Sequence, residues 1–278
     1  MIYNMMFRWR THLHPLFLCF AIACFALISG LRAQSSNLDS LELVMQTKKL
    51  NTTEQLELYY RLSWGYMDVH TEKAFSFARL GIKFAENAKS EKDLEWLAQL
   101  YCNLGVGYDM ISKYDSALYY FDKSISIALS IKNERQEARG YICIGNLYLG
   151  MGDYQNALEY FMRALPMLEK QGDPQRVGIL LHNIGTVYQY LSNMEQAMKY
   201  FLRVEKITRE TGDWDGLGSV LVSLSEITLN EGKDIDKALD YARLAVDIKR
   251  EINDKYGECI ALLQAARCCY LLNVNLML

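Results

Sequence analysis

Proline is scarce in this sequence, 3 residues among 278, and histidine numbers only 4. With so little proline and no low-complexity stretch, a long flexible linker is excluded. His12 and His14 lie in the first fourteen residues, which leaves His70 and His182, far apart and without a matching acid. That is thin material for acid–base chemistry. No block of Lys or Arg occurs and the formal charge is −3, so the broad positive surface that nucleic acid requires is missing. The cysteines show no C-x-x-C spacing, and Gly216-x-Gly218 lacks both a third glycine and a preceding strand. Neither a phosphate loop nor a nucleophile elbow is present. The sequence therefore predicts no enzyme, no cofactor and no metal. What remains is a chain 51% apolar and 23% charged, enough for one or two ordinary domains.

The N-terminus reads as an address. Arg8 and Arg10 precede an unbroken apolar run, Leu16 to Ile28, and no acid appears before Asp39. A basic start, a short apolar run and small residues before Ala33 describe a secretory signal peptide over residues 1–33, cleaved near Ala33. The alternative is an uncleaved membrane anchor. Cys24, after Ala21-Ile22-Ala23, sits inside the run rather than at its end, which argues against a lipid-attachment site. Removal of this segment takes three arginines and no acid, moving the formal charge from −3 to −6. No later stretch reaches eighteen uninterrupted apolar residues. The expected location is extracytoplasmic, periplasmic or secreted.

A repeat organises the rest. An apolar residue followed by a small one recurs as Leu62-Ser63, Leu104-Gly105, Ile144-Gly145, Ile184-Gly185, Leu224-Ser225 and Ala265-Ala266, at spacings of 42, 40, 40, 40 and 41. Three residues later come Tyr66, Tyr108, Tyr148, Tyr188, Thr228 and Cys269, and a second marker follows at Ala74, Ala117, Ala157, Ala197 and Ala238. Each unit reads as two amphipathic helices, one around the small residue and one carrying faces such as Ala157, Tyr160, Phe161, Ala164 and Leu168. A lone helix pair cannot bury both faces, so the units must stack.

Turn chemistry agrees with the period. Gly152-Asp153 and Asn193 separate paired helices, while Gly172-Asp173-Pro174 and Gly212-Asp213 separate units, with Pro174 at a first helical position. Thr52 with Gln55 fits a capping box at the start of the first unit. The domains are a signal peptide (1–33), an N-terminal capping helix and linker (34–53), and five repeats plus a truncated sixth (54–278). The repeats divide at about 54–90, 91–132, 133–172, 173–212, 213–253 and 254–278. In the sixth, Ile260, Leu263 and Leu271 are expected to stand without a partner, a surface suited to self-association. Cys102, Cys143, Cys259, Cys268 and Cys269 fall in helical stretches and read as small core fillers rather than a disulfide frame.

The W-x-x-L-G-x-x-Y…A…F markers resemble the tetratricopeptide repeat over about residues 54–278. The unit is some six residues longer than the usual 34 and lacks the closing proline. The resemblance implies an all-α, right-handed superhelical solenoid of stacked antiparallel helix pairs, acting as a non-catalytic scaffold for proteins or peptides. With the signal peptide, the layout is similar to the extracytoplasmic repeat region of bacterial sensor kinases and transcriptional regulators. The alternative reading is a truncated sensor histidine kinase or regulator lacking its membrane helix and output domain.

In such a superhelix the first helix of each pair lines the concave face. The stripe opposite the core falls three before, one after and four after the small residue. It comprises Tyr60, Trp64 and Met67; Cys102, Val106 and Asp109; Ile142, Asn146 and Leu149; His182, Thr186 and Gln189; Val222, Glu226 and Leu229. Polar groups there would not be needed for packing and suit a peptide's backbone. The candidate peptide-binding residues are Tyr60, Trp64, Asp109, Arg139, Asn146, His182, Thr186, Gln189 and Glu226, with Asn146, His182 and Gln189 at the centre. Only Arg139 and Arg267 approach this face, too few cations for a clamp on a terminal carboxylate. Asn103 and Asn183 are expected to bond neighbouring turns. A membrane enters as partner only if the N-terminal segment is uncleaved or the chain is a fragment of a longer one.

Overall fold

A computed structural model of the chain describes residues 37–275, apart from 86, 87, 89 and 233; the side chains of 231 and 273–275 are also outside the description. The signal-peptide segment, 1–33, lies outside the described residues. Those described are all-α, in twelve helices: α1 (37–47), α2 (Thr52–Gly65), α3 (Thr71–Phe84), α4 (Glu91–Met110), α5 (Tyr114–Ser130), α6 (Glu134–Met151), α7 (Tyr154–Gln171), α8 (Pro174–Tyr190), α9 (Met194–Thr211), α10 (Trp214–Glu231), α11 (Ile235–Glu251) and α12 (Lys255–Asn275). Among the described residues no helix is long and apolar enough to cross a membrane. The chain forms two compact units, divided in the last turn of α5 between Ile127 and Ala128.

The helices begin where side-chain oxygens can take the orphan amides of a first turn. Ser90, Asn133, Asp153, Asp173, Asn193, Asp213 and Asp234 each accept from the amide three residues on, a cap worth about 1 kcal/mol apiece. Pro174 occupies the first position of α8. The capping box expected at Thr52 and Gln55 is built one residue earlier, by Asn51 and Glu54. Both pairs have suitable oxygens, and the earlier one wins because Thr52 is already helical.

The turns share one conformation. A left-handed residue recurs at Ser112, Lys132, Gly152, Gly172, Ser192, Gly212, Gly232 and Asn253, with φ between 52° and 77°. Every helix-to-helix junction from α4 onward is thus turned in the same way, twenty or twenty-one residues apart. Half of these positions are glycine, for which the conformation costs nothing; the others carry a Cβ into it at about 1–2 kcal/mol each.

Within each hairpin the small residue is the contact point. Gly105, Gly145 and Gly185 lie under the rings of Phe121, Phe161 and Phe201; a Cβ on any of them would collide with the ring edge. All three rings are fully buried. Where the small residue is instead serine, the partner position is alanine: Ser63 with Ala78, and Ser225 with Ala242. A second contact repeats one turn on. Tyr108 stacks on Tyr120, Tyr148 on Tyr160 and Tyr188 on Tyr200, at centroid distances of 5.3, 5.7 and 5.4 Å. Tyr66 stacks on Phe77 in the same way at 5.8 Å. Such pairs add about 0.5–1.5 kcal/mol each beyond their buried area.

In the first unit, α1 closes one end. Its Leu38 is buried with Leu58, Leu62, Tyr66 and Met67, and Glu42 accepts from the Tyr66 hydroxyl at 2.6 Å and pairs with Lys73. In the second unit one apolar core runs from Ala138 to Ala261. At α12, Leu263 and Ile260 are exposed as expected. Leu271 is not without a partner: it packs against the cluster of Leu229, Ala238, Leu239 and Cys268. The cysteines divide. Cys102 and Cys268 are buried, whereas Cys259 is exposed and fills no core.

Candidate functional site

The nine candidate residues fall in both units. In the first, Tyr60 lies tilted on Trp96 with centroids 5.3 Å apart, Trp64 is half exposed, and Asp109 is partly covered, burial pushing its carboxyl above the usual range. Met67 and Cys102 are buried rather than on an open stripe, and so is Leu229 in the second unit. The structure corrects the stripe at these three places. Met67 and Leu229 lie near the ends of their helices, where the next hairpin covers what a simple helical wheel leaves open.

The second unit places Arg139 and Asn146 on α6, His182, Thr186 and Gln189 on α8, and Glu226 on α10. A row of polar contacts steps across these helices. Asn183 Nδ2 donates to Asn146 Oδ1 at 3.0 Å; His182 Nε2 and Ser223 Oγ lie 3.2 Å apart; Glu226 and Asn230 both face Arg267 of α12, at 3.7 and 3.3 Å. Asn183 therefore bonds the neighbouring helix, as does Asn103, whose Nδ2 donates to Ser63 Oγ at 2.7 Å. Asn146 is exposed, with both amide N–H groups left after it accepts from Asn183. Gln189 and Thr186 are half-buried, the Thr186 hydroxyl being spent on His182 O.

His182 is largely covered, its ring tilted on Phe201 at 5.2 Å, and burial lowers its pKa from the ordinary 6.5. It is neutral at pH 7. Although it faces Ser223, no acid among the described residues is seen to orient the imidazole. The amides around Ser223 are inside α10 and already committed to i−4 carbonyls, so no oxyanion could be held there.

One turn toward the N-termini of α8 and α10 opens a cavity of about 510 Å³. Gln175, Ile179 and His182 come from α8, Val204 and Thr208 from α9, and Asp213, Asp215 and Ser219 from the start of α10. Beside it, Lys249 is 4% exposed and reaches Asp215 Oδ1, Asp215 O at 3.0 Å, Ser219 Oγ at 3.0 Å and Asp254 Oδ2 at 3.1 Å. Two glycines make room for that lysine. A Cβ on Gly218 would lie 2.8 Å from its Cε, and one on Gly257 2.7 Å from its Cδ. The Gly216-x-Gly218 sequence is thus explained by packing. Among the described residues no group of three His, Cys, Asp or Glu could hold a metal ion.

Sequence reasoning missed this cavity because its stripe stopped at three residues before the small one. Carried one and two turns further back, the same stripe runs through Ile179 and Ser219, then Gln175 and Asp215. Lys249 gave no signal, standing in an ordinary charged helix end.

Residues 136–210 and 176–251 match the sequence model of the tetratricopeptide repeat. Residues 136–251 are built of tetratricopeptide repeats. Comparison with curated proteins finds no match. Among solved structures, the fold is similar to BtubC (BKLC) from P. vanneervenii, with a TM-score of 0.67 at 18% identity, over 80% of this chain and 91% of that one. It is similar to a Rap protein complexed with Competence and Sporulation Factor (TM-score 0.61, 13% identity, 88% and 72% of the two chains). It also resembles the Rap conjugation gene regulator of plasmid pLS20 in complex with the Phr* peptide (TM-score 0.58, 18% identity, 77% of this chain). There it spans 60% of the other chain's length. At these identities the tetratricopeptide-repeat fold is what is shared.

Proposed function

We propose that this tetratricopeptide-repeat chain is a non-catalytic scaffold that binds a peptide or an extended protein segment along α6, α8, α10 and α12. The observation that carries the reading is the row Asn146–Asn183, His182–Ser223 and Glu226–Arg267, polar pairs that step from helix to helix along one face, with Asn146 exposed. Asn146 and Gln189 offer amides to a peptide backbone, while Ile142, Leu149 and Val222 between them give apolar floor. Two structures of similar fold were solved with Competence and Sporulation Factor and with the Phr* peptide, which supports a peptide as ligand.

The signal-like segment before Gln34 supports export, and the chain would then be the sensing or interaction region of an extracytoplasmic signalling system. N-terminal sequencing of the product from its host tests this: Gln34 as first residue supports export, and Met1 opposes it. The binding role is tested by selecting a displayed random-peptide library on the full chain. Selected peptides should be lost when Asn146→Ala and Gln189→Ala are combined; selection of nothing above background would overturn the reading.

A further inference from the structure

We propose that the cavity between α8, α9 and α10 receives a basic side chain, arginine or lysine, of the bound peptide. The inference rests on the peptide-binding reading and deepens it. Its volume, about 510 Å³, is that of a small-ligand pocket. Ile179, Val204 and the Thr208 side chain supply apolar surface, suited to the aliphatic stem of a long cation. The polar end is made of acceptors. Asp213 gives Oδ1 to the Gly216 amide at 2.9 Å and keeps Oδ2, and Asp215 gives Oδ1 to Lys249 and keeps Oδ2.

Charge points the same way. No Lys or Arg lines the cavity. The cation behind it, Lys249, is withdrawn from solvent and shared between Asp215 and Asp254, so one lysine stands against three carboxylates once Asp213 is counted. His182 is neutral and adds no positive charge. The start of α10 would by itself attract an anion, but Asp213 already occupies that place as its cap. A guanidinium or ammonium group entering here would meet two carboxylate oxygens, Asp213 Oδ2 and Asp215 Oδ2, and form charge-assisted bonds with them.

The test is a titration of the isotope-labelled full chain with Nα-acetyl-arginine amide, followed by NMR, beside Nα-acetyl-norleucine amide as an uncharged probe. The arginine probe should shift Gly216 and Ser219 and bind at least about tenfold more tightly than norleucine, as expected for a paired charge. Asp213→Asn with Asp215→Asn should weaken it by about tenfold or more, and Asp213→Asn alone measurably, since asparagine preserves the cap. Equal binding of the two probes, shifts elsewhere on the chain, or affinity unchanged in Asp213→Asn would overturn the assignment. Peptides selected from the library should be enriched in Arg or Lys. Selected peptides with no such enrichment, yet lost on Asn146→Ala with Gln189→Ala, would sink this pocket and leave the peptide reading standing.

Discussion

Gly185 and Phe201 meet so closely that a methyl group on the glycine would lie 2.6 Å from the ring's Cε1. The same pairing holds at Gly145 with Phe161 and Gly105 with Phe121. In the hairpins that carry Ser63 and Ser225, alanine takes the place of phenylalanine. The larger small-residue position on one helix goes with the loss of the ring on the other.

Gly185→Ala should accordingly destabilise the second unit by about 1–3 kcal/mol through overpacking, and Phe201→Ala by about 3–5 kcal/mol through the cavity it leaves. Gly185→Ser combined with Phe201→Ala reproduces the Ser225–Ala242 pairing. Urea unfolding should show the double variant more stable than the sum of Gly185→Ser and Phe201→Ala by at least about 1 kcal/mol. Strict additivity would mean that the two positions do not share a packing volume.

The left-handed turns predict substitutions of opposite sign. Gly152→Ala puts a Cβ into that conformation and should cost about 1–2 kcal/mol. Lys132→Gly and Ser192→Gly remove such a Cβ, and the relief should exceed the added freedom of the unfolded chain, for a net gain of a few tenths to about 1 kcal/mol. Thermal melting of the three variants checks the order.

Lys249 is held by four oxygens from α10 and the start of α12. Lys249→Met keeps the stem and removes the charge. It should destabilise by about 2–4 kcal/mol, less than a fully buried pair would, because Asp215 can return to water. Gly218→Ala, which pushes on the lysine's Cε, should destabilise in wild type and less in Lys249→Ala. Equal effects in both backgrounds would show that the glycine serves something else.

His182 gives a pH dependence. Its folded pKa is depressed below 6.5 by burial, so the unfolded chain binds a proton first as pH falls. Its contribution to stability is present above pH 6.5 and declines as pH drops toward the folded pKa. His182→Gln, which keeps a hydrogen bond for Ser223 without titrating, should lose less melting temperature between pH 7.5 and 5.5 than wild type does. An identical loss would place the pH sensitivity in other groups.

Much of this fold was legible before any coordinates, because each hairpin states its contacts again forty residues later. The recurring glycine, tyrosine and phenylalanine markers, several aspartate and asparagine caps and Pro174 could be read from repetition alone, though not which marker meets which. What occurs once was not legible. Lys249 has no counterpart that repeats its role, and the Asn51–Glu54 box was confused with Thr52–Gln55 because both spacings offer the same chemistry. Of the candidate site, the helix faces were readable, but the burial of Met67 and Leu229 depends on neighbouring hairpins, which periodicity within one helix does not encode. The cavity beside Asp213 lies beyond a stripe of three positions and needs the length of the helix to be found.

The central claim is that Asn146 and Gln189 hold a peptide on the face of α6 and α8. Isothermal titration of a library-selected peptide against wild type and the Asn146→Ala, Gln189→Ala double variant tests it most directly. Loss of two solvent-accessible amide contacts should weaken binding by about tenfold or more while the melting temperature stays within a few degrees. Unchanged affinity in a folded double variant would contradict the account.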